Sequence, residues 1–152
     1  MGSISIDGVL VTPLKQVFHP KGNIYHGMKN VDSGYIGFGE VYFSSITTGV
    51  IKAWKRHSKM TLNLICPIGK IRFVLFDDRF ESPTNGFFQE VYLSVEDNYN
   101  RLTIPPGVWM GFQGLSAGIN LLLNVADIVH DPLEQLNIPI DESHIVFDWN
   151  KK

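Results

Sequence analysis

Short runs rich in β-branched and aromatic residues, cut at close intervals by glycine, proline, asparagine and serine, fill this chain and leave little room for helices. The 14 glycines and 8 prolines supply most of the breaks. Four breaks carry explicit turn chemistry: Ile46-Thr47-Thr48-Gly49, Pro67-Ile68-Gly69, Ser82-Pro83-Thr84-Asn85-Gly86 and Pro105-Pro106-Gly107. The runs around them predict strands over 39–45, 50–55, 62–66, 70–77, 87–94, 101–104 and 120–125. Many short strands at this spacing read as an all-β sandwich or barrel. One helical signal stands out: Asp131 as N-cap with Pro132 at the first helical position predicts a short helix over 131–136.

A chain of 152 residues, 44% hydrophobic and 18% charged, is sized and composed to bury one core, so a single domain over residues 1–152 is expected. Net charge is −2 with the basic residues scattered, which argues against a nucleic-acid surface. Any anionic ligand has to be met by a few local cations. No stretch reaches the roughly 18 apolar residues of a membrane span. The N-terminus lacks the basic-then-apolar layout of a signal peptide. Cys66 stands alone, so no intrachain disulfide forms. A cytoplasmic protein without nucleic-acid or membrane partners is expected.

Strand alternation places Lys55 and His57 on one face of the 50–57 run, with Lys52, Trp54 and Arg56 on the other. A half-buried strand carries a Lys and a His together for one of two reasons. Either that end is an exposed rim, or it lines a barrel mouth that holds a polar ligand. Lys52 and Arg56 beside them suit an anion such as a pyrophosphate.

Longer motifs give this pattern a context. The stretch Asp77-Asp78-Arg79-Phe80-Glu81-Ser82-Pro83-Thr84-Asn85-Gly86 resembles the Asp-x-Arg-x-x-Ser-Pro-Thr-x-Gly signature of the dTDP-4-keto-6-deoxyglucose 3,5-epimerase family. Ile104-Pro105-Pro106-Gly107 followed by Gly111-Phe112 resembles that family's Ile-Pro-x-Gly-x-x-His-Gly-Phe segment. Gly49-Val50-Ile51-Lys52 is similar to the Gly-Val-Leu-Arg that opens its catalytic strand, and Ile145-Val146-Phe147-Asp148-Trp149 to its C-terminal motif. The matches run in order over most of the chain. The resemblance implies a cupin jelly roll with at most one or two short helices, usually a homodimer, acting on a nucleotide-linked 4-keto-6-deoxy sugar of the kind used in bacterial surface polysaccharide.

In that family a base removes the proton beside the ketone, a cation or donor stabilises the enolate, and an acid returns a proton to the other face. The ketone itself acidifies the neighbouring carbon, so no cofactor is expected. No metal site is expected either, since Lys55-x-His57 and Met110 are a poor ligand set. The resemblance puts Lys55 at the family's base position, while relatives reading Trp-His-x-His match Trp54-Lys55-Arg56-His57. The family's acid, a tyrosine, falls on Leu123, and its base-orienting aspartate lies in a tail that has no match here. The expected catalytic residues are therefore His57 and Lys55, with Tyr42 as the replacement acid. Lys52, Arg56, Asn63, Trp109 and Asn124 are the expected substrate-binding residues. Two other functions remain open on the sequence: 3,4-ketoisomerisation of the same substrate class, and non-catalytic binding of a nucleotide sugar.

Overall fold

The computed structural model describes residues 4–151. Its first sheet is built from β1 (Leu10–Pro13), β9 (Asn100–Ile104), β6 (Leu62–Ile68), β11 (Asn120–Ala126) and β4 (Glu40–Ile46), side by side in that order. The second holds β12 (Gln135–Asn137), β5 (Ile51–His57), β10 (Val108–Gly114), β7 (Lys70–Asp77) and β8 (Phe88–Ser94). Two short strands, β2 (Gln16–Val17) and β3 (Ile24–Tyr25), pair apart from both. All the sheet pairings are antiparallel, and most neighbours in a sheet are distant in sequence. This is the expected all-β cupin jelly roll. A single 3₁₀ turn, Ile140–Glu142, is the one helical element among the described residues.

Alternation decides which side chains meet between the sheets. Along β7, Ile71, Phe73 and Leu75 point inward and are fully buried with Leu62, Leu64, Leu93 and Leu102. Arg72 and Val74 point outward, where the C-terminal segment covers them. There Trp54, Val74, Trp109, Ile145 and Trp149 form a second apolar cluster. Arg72 fastens that cover: its guanidinium bonds Glu90 at 2.7 Å and the carbonyls of Trp149 and Lys151 at 2.8 and 3.1 Å. It also stacks against Phe147 and Trp149, 5.4 Å from each ring. We expect Arg72→Ala to cost about 2–3 kcal/mol in urea unfolding, since it strands the buried Trp149 carbonyl and the Glu90 carboxylate and removes the stack under the C-terminal segment. An unchanged midpoint would show that the C-terminal segment holds without it.

Several elements differ from the sequence expectation, the short β2 and β3 among them. The helix over 131–136 does not form. Asp131 does cap one turn, with its Oδ1 accepting from Leu133 N at 3.0 Å, but the chain then extends as β12 along the free edge of β5. The ladder offered by that edge outweighs the local N-cap. β1 was not expected, because its four residues gain a strand partner only through β9. β10 was not expected either, because Gly111 interrupts its apolar run. A Cβ at Gly111 would lie 2.7 Å from that of Ala53 and 3.0 Å from the Trp149 ring, so glycine is what lets β5 and the C-terminal cover approach.

The strongest sequence motif is a folded turn. Asp77 is fully buried. Its carboxylate accepts from Arg79 N, Nε and Nη2 at 2.9–3.0 Å and from the hydroxyls of Ser82 and Thr84. Arg79 in turn packs against Gly107, at φ +91°, where a Cβ would meet its Cδ at 3.0 Å. The Asp-x-Arg and Pro-Pro-Gly motifs are thereby two halves of one contact.

Candidate active site

Between the two sheets lies a cavity of about 630 Å³. The second sheet contributes Lys52, Lys55 and His57 from β5, Met110 and Phe112 from β10, and Asn137, Ile138 and Pro139 from β12 and its exit. The first sheet contributes Tyr42 and Ser44 from β4, Leu62 and Leu64 from β6, and Leu122 and Asn124 from β11. Cations and imidazole on one wall thus face a phenol and an amide on the other, above an apolar floor.

Lys52 was expected on the opposite face of β5 from Lys55 and His57. A β-bulge corrects this: Met110 pairs with Lys55 and Phe112 with Lys52, so three steps on β5 match two on β10. The bulge, which contains the cis Ala53–Trp54 peptide, turns Lys52 to the cavity side. Lys52 lies at the exposed rim, its Nζ 3.1 Å from the Ser45 carbonyl and 5.9 Å from the centre of the Phe112 ring. Lys55 lies deeper and half-buried, with no hydrogen bond or ion pair among the described residues. Burial, and then the charge of Lys52, pull its pKa below the usual lysine value, with Glu134 partly opposing.

His57 is buried and its Nδ1 meets Glu134 Oε1 in a short hydrogen bond. Glu134 is buried too, and its Oε2 accepts from the amides of Lys59 and Met60 at 3.1 and 3.2 Å. Burial pushes the Glu134 pKa up. The His57 bond and the two amides outweigh it, and the carboxyl is held below its usual range. With Nδ1–H donated to a carboxylate, Nε2 is the imidazole nitrogen left to take a proton. Sequence reasoning missed Glu134 because its partner is 77 residues away and no local motif marks the pair.

Across the cavity, Asn124 Oδ1 accepts from the Asn63 amide at 3.1 Å, which fixes the Asn124 side chain so that its Nδ2 donates to Tyr42 Oη at 3.0 Å. The Tyr42 oxygen accepts, so its own proton is free to be given to a ligand. Leu123, at the position matching the family's tyrosine, is turned away from the cavity by alternation, between the cavity-lining Leu122 and Asn124.

Three expected binding residues lie elsewhere. Asn63 points to the far side of its sheet, where its side chain accepts from Thr103 Oγ1 at 2.6 Å and donates to the Gly34 carbonyl at 3.1 Å. Trp109 faces outward from β10 and donates to Asp78 at 2.8 Å. Arg56 stacks on that Trp109 ring at 4.8 Å and pairs with Asp78. Strand parity places all three away from the cavity: Lys55 and His57 beside Arg56, Leu62 and Leu64 beside Asn63, and Met110 beside Trp109 line it. No cluster of three or more metal-ligating side chains occurs among the described residues.

The family model described as dTDP-4-dehydrorhamnose 3,5-epimerase matches residues 15–152. A probable low-salt glycan biosynthesis epimerase of Haloferax volcanii is 34% identical over 113 residues, covering 72% of this chain and 71% of that protein. A spore coat polysaccharide biosynthesis protein of Bacillus subtilis is 31% identical over 147 residues, 95% of this chain and 97% of that one. Among solved structures, a dTDP sugar isomerase from Desulfovibrio desulfuricans superposes with a TM-score of 0.92 at 37% identity, covering 97% of this chain and 94% of that one. With a family match over nearly the whole length and relatives above 30% identity along it, the chain belongs to the dTDP-4-dehydrorhamnose 3,5-epimerase family.

Proposed function

We propose that this protein epimerises a carbon beside the C4 ketone of a dTDP-linked 4-keto-6-deoxy sugar used for surface polysaccharide. The observation that carries the reading is the pairing of a His57–Glu134 dyad on one wall with a Tyr42–Asn124 pair on the other. Inversion needs a proton removed from one face of the sugar and returned to the other, and these are groups of the right chemistry on opposite sides of one cavity. His57 Nε2 takes the proton. Lys55 engages the C4 carbonyl, Tyr42 returns a proton, and the rim cation Lys52 meets the diphosphate. The apolar floor of Leu62, Leu64, Met110 and Leu122 suits the methyl group of a 6-deoxy sugar.

The same reading makes the chain a single catalytic domain that works in the cytoplasm, where nucleotide sugars are made, as a homodimer. Strand β4 supports the dimer: among the described residues it ends its sheet with one edge unpaired, and it exposes Val41 and Phe43, with Phe38 exposed just before it. No helix among the described residues is long and apolar enough to cross a membrane.

Incubation with dTDP-4-keto-6-deoxyglucose in deuterium oxide tests the activity. We expect solvent deuterium to appear at C3, C5 or both, read by proton NMR, with the ketone still at C4. A ketone moved to C3 would make the enzyme a ketoisomerase instead. If no member of a panel of nucleotide 4-keto sugars exchanges, the catalytic reading fails.

A further inference from the structure

Lys55 differs from every other cation near the cavity. Lys52 is spent on the Ser45 carbonyl and the Phe112 ring, and Arg56 on Asp78 and Trp109. Lys55 Nζ has no such partner among the described residues, yet its backbone is fixed in mid-sheet, paired with Met110 on one side and Asn137 on the other. It lines the cavity with Leu62, Leu64 and Met110, and desolvation together with the Lys52 charge favours the neutral amine. The next residue on the same face is His57, roughly 6.7 Å along the strand. Lys55 and His57 thus present an amine and an imidazole to the same cavity from one face of β5.

We infer that Lys55 acts as a nucleophile, forming an iminium with the C4 ketone so that epimerisation passes through an enamine. The inference rests on the epimerase reading and deepens it. The neutral amine adds to C4, and the carbinolamine takes a proton from solvent and loses its oxygen as water, leaving C=N⁺. His57 Nε2 then takes the proton from the adjacent carbon; the C–H pair becomes a C=C bond and the C=N pair moves onto nitrogen. Tyr42 protonates the enamine carbon from the other wall, which restores the iminium. Water hydrolyses it, releasing the ketone, the free amine and the proton taken up at dehydration, while His57 gives its proton to solvent and the Tyr42 phenolate takes one up. No oxidant or reductant is consumed. An iminium acidifies the neighbouring C–H more than a ketone does, which eases its removal by His57.

The test is trapping with cyanoborohydride during turnover of dTDP-4-keto-6-deoxyglucose, followed by intact mass and peptide mapping. The expected result is a gain equal to the sugar nucleotide less one oxygen atom, located on Lys55. Lys55→Arg keeps the charge but not the nucleophile. It is expected to give no adduct and to lose deuterium wash-in to background, with an unchanged circular dichroism spectrum. Wash-in by wild type with no adduct overturns the inference. So does Lys55→Arg activity within about tenfold of wild type, because a mere cation would then suffice. An adduct without any wash-in would leave the nucleophile standing and remove the epimerase reading, so the two failures are distinct.

Discussion

His57→Ala is expected to lower deuterium wash-in by about 10²- to 10⁴-fold, the usual loss when a positioned general base is removed. Both other groups that could take the proton are poorly placed for it. Lys55 is committed to the carbonyl in the reading above, and Tyr42 lies on the opposite wall. The loss should reside in kcat, since His57 touches the reacting C–H and not the nucleotide. Glu134→Gln should follow it, with kcat falling by roughly 10²-fold or more and KM little changed, because a neutral amide neither fixes the imidazole tautomer nor offsets an imidazolium. Its denaturation midpoint is the control. Glu134 also accepts from the Lys59 and Met60 amides, and a glutamine keeps one carbonyl for them. If Glu134→Gln retained full kcat, the carboxylate would be a structural clasp and the dyad assignment would fall.

The sequence carries the strands that own their alternation and hides the contacts made across the barrel. Strand β7 could be read directly, because Ile71, Phe73 and Leu75 alternate cleanly with outward residues between two turns. On β5 the same rule put Lys55 and His57 together correctly but sent Lys52 the wrong way. A bulge adds one residue to the count, and nothing in Lys52-Ala53-Trp54-Lys55 announces it. Strand β10 was hidden by Gly111, whose reason for being glycine is Ala53 and Trp149 rather than a turn. Asn63 and Trp109 were chosen for chemistry plausible in any sugar site. Only the register of β6 and β10 reveals that they face Thr103 and Asp78. Glu134 was beyond sequence reading for a related reason. It is an acidic residue in a turn until β12 zips onto β5 and delivers it to His57. Where the resemblance implies an aspartate beside the base, the carboxylate that meets His57 is Glu134, brought there by β12.

Asp77→Asn is expected to destabilise the protein by about 3 kcal/mol at neutral pH, because it removes the charge paired with Arg79 and puts an amide nitrogen where one carboxylate oxygen now accepts. For a chain of this length that lowers the melting temperature by roughly 6–12 °C. The same substitution separates charge from shape when the pH is varied. Burial alone would raise the Asp77 pKa. The bonds from the Arg79 side chain, Ser82, Thr84 and the Arg79 amide outweigh it and hold the carboxyl well below the usual range. A depressed folded-state pKa means that the unfolded chain takes up the proton first, at about pH 4. The contribution of Asp77 is thus fully present above that pH and fades as the pH falls through the folded value. Glu134, also held low, loses stability in the same direction. Urea titrations of wild type and Asp77→Asn between pH 7 and pH 2.5 should therefore converge, the wild type losing stability faster below about pH 4. A gap that stays constant over that range would mean that Asp77 holds the Ser82–Gly86 turn by shape alone, and that its charge adds nothing to the fold.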